Sequence, residues 1–322
     1  MTARNQNDIN DAARIIADGG LVAMPTETVY GLAADATNDK AVARIFEAKS
    51  RPQFNPLIIH VASLDMAKRY VEFSPLAEKL GHTFWPGPLT LVLPRRIESN
   101  LSLLVSAGLD SVGVRMPNHA LARSLIAAVD RPLAAPSANA SGTISPTLAD
   151  HVRASLGARV DMIIDGGACP VGVESTIVKI TQEKDGHERA TLLRPGGIAR
   201  ADIEAFIGST LLTPAKDTIE APGMMSSHYA PAAKLRLNAD APGDFEAFLG
   251  FGKTHIPGAY ALNLSECGNL TEAAANLFSY LRQLDAICSE HGMTGIAAAP
   301  IPDDGLGEAI NDRLVRAAAP RV

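Results

Sequence analysis

EAKSRPQFNPLIIHV, Glu47–Val61, joins two periodicities. Upstream, DKAVARIFEAKS carries apolar residues at helical spacing; downstream, LIIHV is a short apolar, β-branched run that reads as a buried strand. Between them stand Lys49, Arg51 and Asn55, with Pro52 and Pro56 stiffening the chain. Helix, rigid loop, strand is the unit from which α/β sheets are assembled, and so cationic a loop at a strand entrance predicts an anion close by.

The alternation continues outward. DINDAARIIADGG reads as a helix with a Gly stop, LVAMPTETVYGLAA as a strand entering a Pro-Thr loop, and LTLVLP, SVGVRMP and RPLAAPSAN as strands ending in loops rich in Pro, Ser and Asn. SPLAEKLGHTF, HALARSLIAAV and TLADHVRASLG supply helices between them, and ARVDMIIDGG, VESTIVKI and ATLLRPGGIARADIEAFIG carry the pattern to Gly208. From Ser209 to Pro231 periodicity stops, which predicts an interdomain linker at 209–231 between a domain at 1–208 and a small α/β unit at 232–322. The fold class read from this pattern is α/β, in two domains.

At 322 residues, 47% apolar, the chain has material for a substantial core. A formal net charge of −6 and a pI near 5.8 argue against holding nucleic acid by bulk electrostatics, so any anion site must be a local pocket. Cys169, Cys267 and Cys288 are odd in number, far apart and lack a CxxC pair, predicting neither a disulfide framework nor a zinc cage and suiting a reducing cytoplasm. The N-terminus has no secretory pattern and no run approaches the length of a membrane span.

One nucleotide motif is a decoy. AFLGFGKT, Ala247–Thr254, ends like a phosphate-binding loop, but Ala247 stands where the first Gly is required; it reads instead as a helix C-terminus with a Gly cap. The glycines of DGGACPVG do not match a dinucleotide fingerprint either. What remains is a set of polar residues at strand ends, where open α/β sheets bind ligands. They are Thr26, Thr28, Lys49, Arg51, Asn55, His60, Arg115, Ser137, Asn139, Ser175 and Arg194. Singly, each has an ordinary structural role; together, four cations at strand–loop junctions predict a polyanion pocket.

These blocks also carry a family resemblance. PTETVYGLAADATN, the KxR of EAKSRPQFNPLIIHV, WPGPLTLVL, SVGVRMPNH, PLAAPSANASGTISPT, GVESTIV and LLRPGGI, in this order, resemble the YrdC-type threonylcarbamoyl-AMP synthases across residues 9–208. MMSSHYAP and the closing GLGEAINDRLVRAA resemble the longer, two-domain form. The resemblance implies a YrdC-like twisted open sheet with a large concave cavity, plus a smaller Rossmann-like domain. It implies a nucleotidyltransferase joining L-threonine, bicarbonate and ATP into threonylcarbamoyl-AMP and pyrophosphate. Partner proteins then move the threonylcarbamoyl group onto tRNA, with no stable nucleic-acid binding by this chain.

Carried over position by position, the resemblance assigns Lys49 and Arg51 to catalysis and, with Asn55, Ser111, Asn139, Thr147, Arg194 and Tyr229, to ATP. Threonine falls to Thr28, His60, Arg115, Ser137 and Ser175, with Arg115 facing its carboxylate. No protein metal ligand is implied; Mg²⁺ would arrive on the ATP phosphates. The linker departs from the family pattern in reading GMMSSHYAP, with Ser226 and Ser227 in its middle, while His228 and Tyr229 are in place to form a lid. Two rivals remain: an RNA-binding module of the same fold without synthase activity, and carbamoyl transfer of the hydrogenase-maturation kind. The latter needs an acylphosphatase-like unit and Cys-rich zinc modules that this chain lacks.

Overall fold

The computed structural model describes residues 3–52, 54–183, 186–214, 221–223, 227–253 and 260–320. Nine strands form the larger sheet: β1 Val22–Met24, β2 Gly31–Asp35, β3 Ile58–His60, β4 Leu89–Pro94, β5 Ser111–Arg115, β6 Leu133–Ala134, β7 Met162–Ile163, β8 Thr176–Gln182 and β9 Glu188–Arg194. Their spatial order is β7-β1-β2-β6-β3-β5-β4-β8-β9. The sheet is mixed: β3/β5 and β4/β8 run parallel, whereas β2/β6, β3/β6 and β4/β5 run antiparallel. The helices Ala3–Ala17, Asp39–Lys49 and Ala120–Val129 lay apolar stripes on it, with Ile16, Ile45 and Leu125 fully buried in one continuous core. Each such side chain contributes on the order of 1.5–3 kcal/mol.

A second sheet, all parallel, has the order β10-β13-β11-β12, with β10 Lys234–Arg236, β11 Glu246–Gly250, β12 Ala261–Asn263 and β13 Gly295–Ala298. The helices Leu270–His291 and Gly307–Ala318 pack on it. Ala247–Gly250 thus belongs to a strand, not to a capped helix end: Ala247, Phe248 and Leu249 are buried in the sheet, and a run so short has no periodicity to separate strand from helix. Thr254 lies outside the described residues, as do Met224 to Ser226 of the linker.

The two units share apolar surface. Val29, Ile144 and Val173 of the larger unit belong to the same buried cluster as Leu277, Phe278 and Leu281 of the smaller. At Gly172 the backbones come so close that a Cβ would lie 2.3 Å from the carbonyl oxygen of Ala274, an approach only glycine allows. The start of the linker is itself tied to the larger sheet, Leu192 N–H donating to Leu212 O and Leu212 N–H to Ala190 O. Among the described residues no helix is long and apolar enough to cross a membrane.

Candidate active site

The cationic loop begins where a helix stops. Asn38 caps the helix Asp39–Lys49 at its start, accepting from the N–H groups of Lys40 and Ala41, and Ser50 ends it in the left-handed region at φ 51°. This reversal turns Lys49 inward. Its side chain is 1% exposed and its Nζ donates to the backbone oxygens of Ser137 and Asn139. Burial first, then the neighbouring Arg51 and Arg159, hold the Lys49 amine well below the usual lysine range.

Arg51 is also buried, its Nε donating to Asn55 O and its Nη2 to Pro56 O, so the loop's own carbonyls orient the guanidinium. Parallel pairing of β3 with β5 sets His60 opposite Arg115 at the ends of both strands. Arg115 donates through Nε to Gly87 O at 3.2 Å and through Nη1 to Thr28 Oγ1 at 2.9 Å. Its Nη2 lies 2.6 Å from Glu27 Oε1 in a charge contact of poor hydrogen-bond angle, so both atoms keep bonding capacity. His60 is 4% exposed with Nδ1 unpartnered; burial and then Arg115 bring it down to about 3, so the ring is neutral.

Arg194 ends β9, antiparallel to β8. It donates through Nε and Nη2 to Ser175 O and through Nη1 to Pro222 O of the linker. Ser175 in turn shares a 2.7 Å hydroxyl bond with Thr90. These partners are neutral oxygens, and among the described residues no carboxylate pairs with the guanidinium.

Thr28, Arg51, His60, Arg115, Ser137, Ser175, Arg194 and Tyr229 line one internal cavity. Lys49 and Asn139 stand behind its wall, Asn139 with a buried, unpartnered Oδ1. The cavity is small, about 50 Å³, and Pro222, Gly223, His228 and Tyr229 of the linker form part of its wall. Tyr229, at φ 62° and 1% exposed, stacks on Phe278, while His228 packs beside it at 8% exposure. Linker and Arg194 approach so closely at Gly223 that a Cβ would lie 3.0 Å from Arg194 Cδ. A second cavity of about 800 Å³ lies between the units, bounded by Ser50, Ser141, Thr143 and Arg282, and His228 lines both.

Two sequence assignments do not converge here. Ser111 stands at the opposite end of β5 from Arg115, paired with Pro94; four strand steps separate them by about 13 Å. Thr147 is buried at the approach to the helix Ala149–Leu156, where its N–H donates to His151 Nδ1 and its carbonyl accepts from Cys169 N–H, outside the cavity wall. Conversely, Glu27 and Glu174 were not singled out from the sequence, although both lie inside motif blocks, PTETVYG and GVEST, beside residues that were.

Residues 14–196 match the family model described as "Telomere recombination", and residues 198–319 the model described as "Threonylcarbamoyl-AMP synthase, C-terminal domain". A Pyrococcus abyssi protein named threonylcarbamoyl-AMP synthase is 42% identical over 98% of this chain and 95% of its own length. A Bacillus subtilis protein of the same name is 40% identical over 99% and 95%. The crystal structure of P. abyssi Sua5 complexed with L-threonine superimposes with a TM-score of 0.85 at 40% identity, covering 96% of this chain and 94% of that one. The full-length match to proteins named synthases leaves the RNA-binding alternative without support. This chain belongs to the threonylcarbamoyl-AMP synthase family, in its two-domain form.

Proposed function

We propose that the protein condenses L-threonine, bicarbonate and ATP into threonylcarbamoyl-AMP and pyrophosphate, for transfer by other proteins to tRNA. The observation that carries this reading is the convergence of Arg51, Arg115 and Arg194 on one buried cavity, with no carboxylate partner for Arg51 or Arg194 among the described residues. Three anions that repel one another in water need such a place.

On this reading Arg115 takes the threonine carboxylate in the pocket bounded by Thr28, His60, Ser137 and Ser175. Lys49, Arg51, Asn55, Asn139 and Arg194 take ATP. The neutral amine of threonine attacks the bicarbonate carbon, water leaves, and a carbamate oxygen then attacks the α-phosphorus as pyrophosphate departs. Neutral His60 and the unpartnered Oδ1 of Asn139 offer hydrogen bonds without adding charge. Mg²⁺ comes in on the phosphates: Glu174, the carboxylate bordering the cavity, already accepts from Ser145 and Arg313. The domain limits we favour are 1–208 and 232–322, with 209–231 as a linker whose His228 and Tyr229 close the cavity and keep water from the adenylate. A cytoplasmic setting suits the free thiols of Cys169, Cys267 and Cys288.

The test is pyrophosphate release from ATP and Mg²⁺, with threonine and bicarbonate omitted in turn. Release that requires both is expected. Release independent of either refutes the reading.

A further inference from the structure

The polyanion cavity contains a group that opposes its own chemistry. Glu174 is buried on the wall beside Ser175 and Arg194. A bare carboxylate there repels a triphosphate and competes for the cations meant for it. Its place is fixed by neighbours, with Val173 in the core before it and β8 beginning at Thr176.

The compensating charge comes from the other unit. Arg313 lies on the C-terminal helix Gly307–Ala318 and is 0% exposed. Its Nε donates to Glu174 Oε2 at 2.9 Å and its Nη1 both to Pro195 O at 2.7 Å, within the LLRPGG block that carries Arg194, and to Asp312 Oδ2 at 2.9 Å, a carboxylate that Arg316 also neutralises. The guanidinium carbon lies 5.6 Å from the centroid of the Tyr229 ring. Ser145 donates to the other oxygen, Glu174 Oε1, at 2.6 Å. Burial alone would raise the Glu174 carboxyl, but Arg313 and then Arg194 hold it at about 2, so it is fully ionised. The helix is fastened twice more, by Arg200 and Glu308 at 2.6 Å and by His228 N–H donating to Arg316 O.

We propose that Arg313 is a positioning residue for ATP binding: by engaging Glu174, the C-terminal unit keeps Arg194 available to the nucleotide phosphates. Without Arg313, the cation left facing Glu174 in the cavity is Arg194. The second unit thereby supplies a charge that the catalytic cavity needs, in addition to any covering role of the linker. This inference rests on the reading that Arg194 meets the nucleotide.

Calorimetric ATP binding and steady-state kinetics on Arg313→Gln, Glu174→Gln and the double variant test it, because the two single changes are expected to act in opposite directions. Arg313→Gln raises the ATP Kd and KM about ten- to hundredfold, the scale of one unneutralised charge at this range, with the threonine KM within about threefold of wild type. Glu174→Gln tightens ATP binding, and the double variant returns to within about threefold of wild type. Arg313→Lys, which keeps the charge but not the fork, stays closer to wild type than Arg313→Gln.

An ATP Kd raised by Glu174→Gln as it is by Arg313→Gln, or a double variant no better than Arg313→Gln, overturns the proposal and leaves a structural bridge. Should Arg313→Gln fail to fold, Glu174→Gln alone decides by the sign of its effect. Direct ATP binding separates this inference from the assigned reaction: wild type that binds ATP with these signs yet makes no threonine-dependent pyrophosphate supports the charge role and refutes the synthase reading.

Discussion

His60 provides the sharpest test of how the site is electrostatically built. Its ring is 4% exposed at the end of β3, beside Arg115, and burial with that neighbour lowers its pKa from 6.5 to about 3. The unfolded chain therefore binds a proton at pH values where the folded protein does not, and the stability from neutral His60 is lost as pH falls below 6.5, down to about 3. Between those limits the slope is ~1.4 kcal/mol per pH unit, and at pH 5 the loss from this one ring is ~2 kcal/mol. Against a typical stability of about 5–15 kcal/mol that is readily measured. Urea unfolding of wild type and His60→Gln at pH 7.5, 6 and 5 reads it directly: the variant is less stable at pH 7.5, and the gap narrows by ~2 kcal/mol at pH 5. A gap independent of pH refutes the claim that His60 is held neutral. His228 is lowered to about 3 as well, but it lies in the linker, where local release can relieve its charge, so its share of the slope is smaller.

Lys49→Ala and Arg51→Ala are each expected to lower kcat/KM for ATP by about a hundredfold or more while the thermal midpoint stays within a few degrees of wild type, as enzyme assays and melting curves would show. Because burial holds the Lys49 amine below its ordinary range and a polyanion beside it would raise it, the proton uptake that accompanies ATP binding, read from the dependence of the binding heat on the buffer's ionisation enthalpy, should be smaller in Lys49→Met. Arg115→Met should raise the threonine KM about thirtyfold or more with the ATP KM little changed; the reverse pattern would mean that Arg115 serves the nucleotide. Gly172→Val places a side chain where Ala274 and Ala275 already stand, so the two units must part, and a lowered, broadened melting transition is expected; an unaltered one would show that the interface yields freely.

The alternation of helix and strand was legible because each element is an uninterrupted apolar run bounded by Pro, Gly, Ser or Asn. Strand direction was not. β6 is two residues long and slips antiparallel between β2 and β3, and nothing in LAAPSAN names its partners. The convergence of His60 and Arg115 could be foreseen from their shared place at strand ends, whereas the sequence alone does not show that Ser111, assigned to ATP by the family resemblance, stands at the other end of Arg115's strand. Arg313 was illegible for a different reason. A cation on an amphipathic surface helix reads as solvated, and its partner Glu174 lies 139 residues away.

Stability and function are therefore in tension at one place. Lys49, Arg51, Arg115 and Arg194 are all buried, and among the described residues only Arg115 of these touches a carboxylate, at an angle that leaves both groups under-bonded. Natural cores avoid uncompensated buried cations because desolvation costs several kcal/mol per ion. Here the cationic side chains stand around a cavity whose wall includes Tyr229 and His228 of the linker, and burial holds the Lys49 amine below the usual lysine range, which lowers that cost until a polyanion arrives. A site built this way is least stable when empty. The family's phosphate-bearing substrate then stabilises the fold as it binds, so ATP should raise the melting temperature of wild type far more than that of Lys49→Met, which lacks one of the buried groups proposed to meet it.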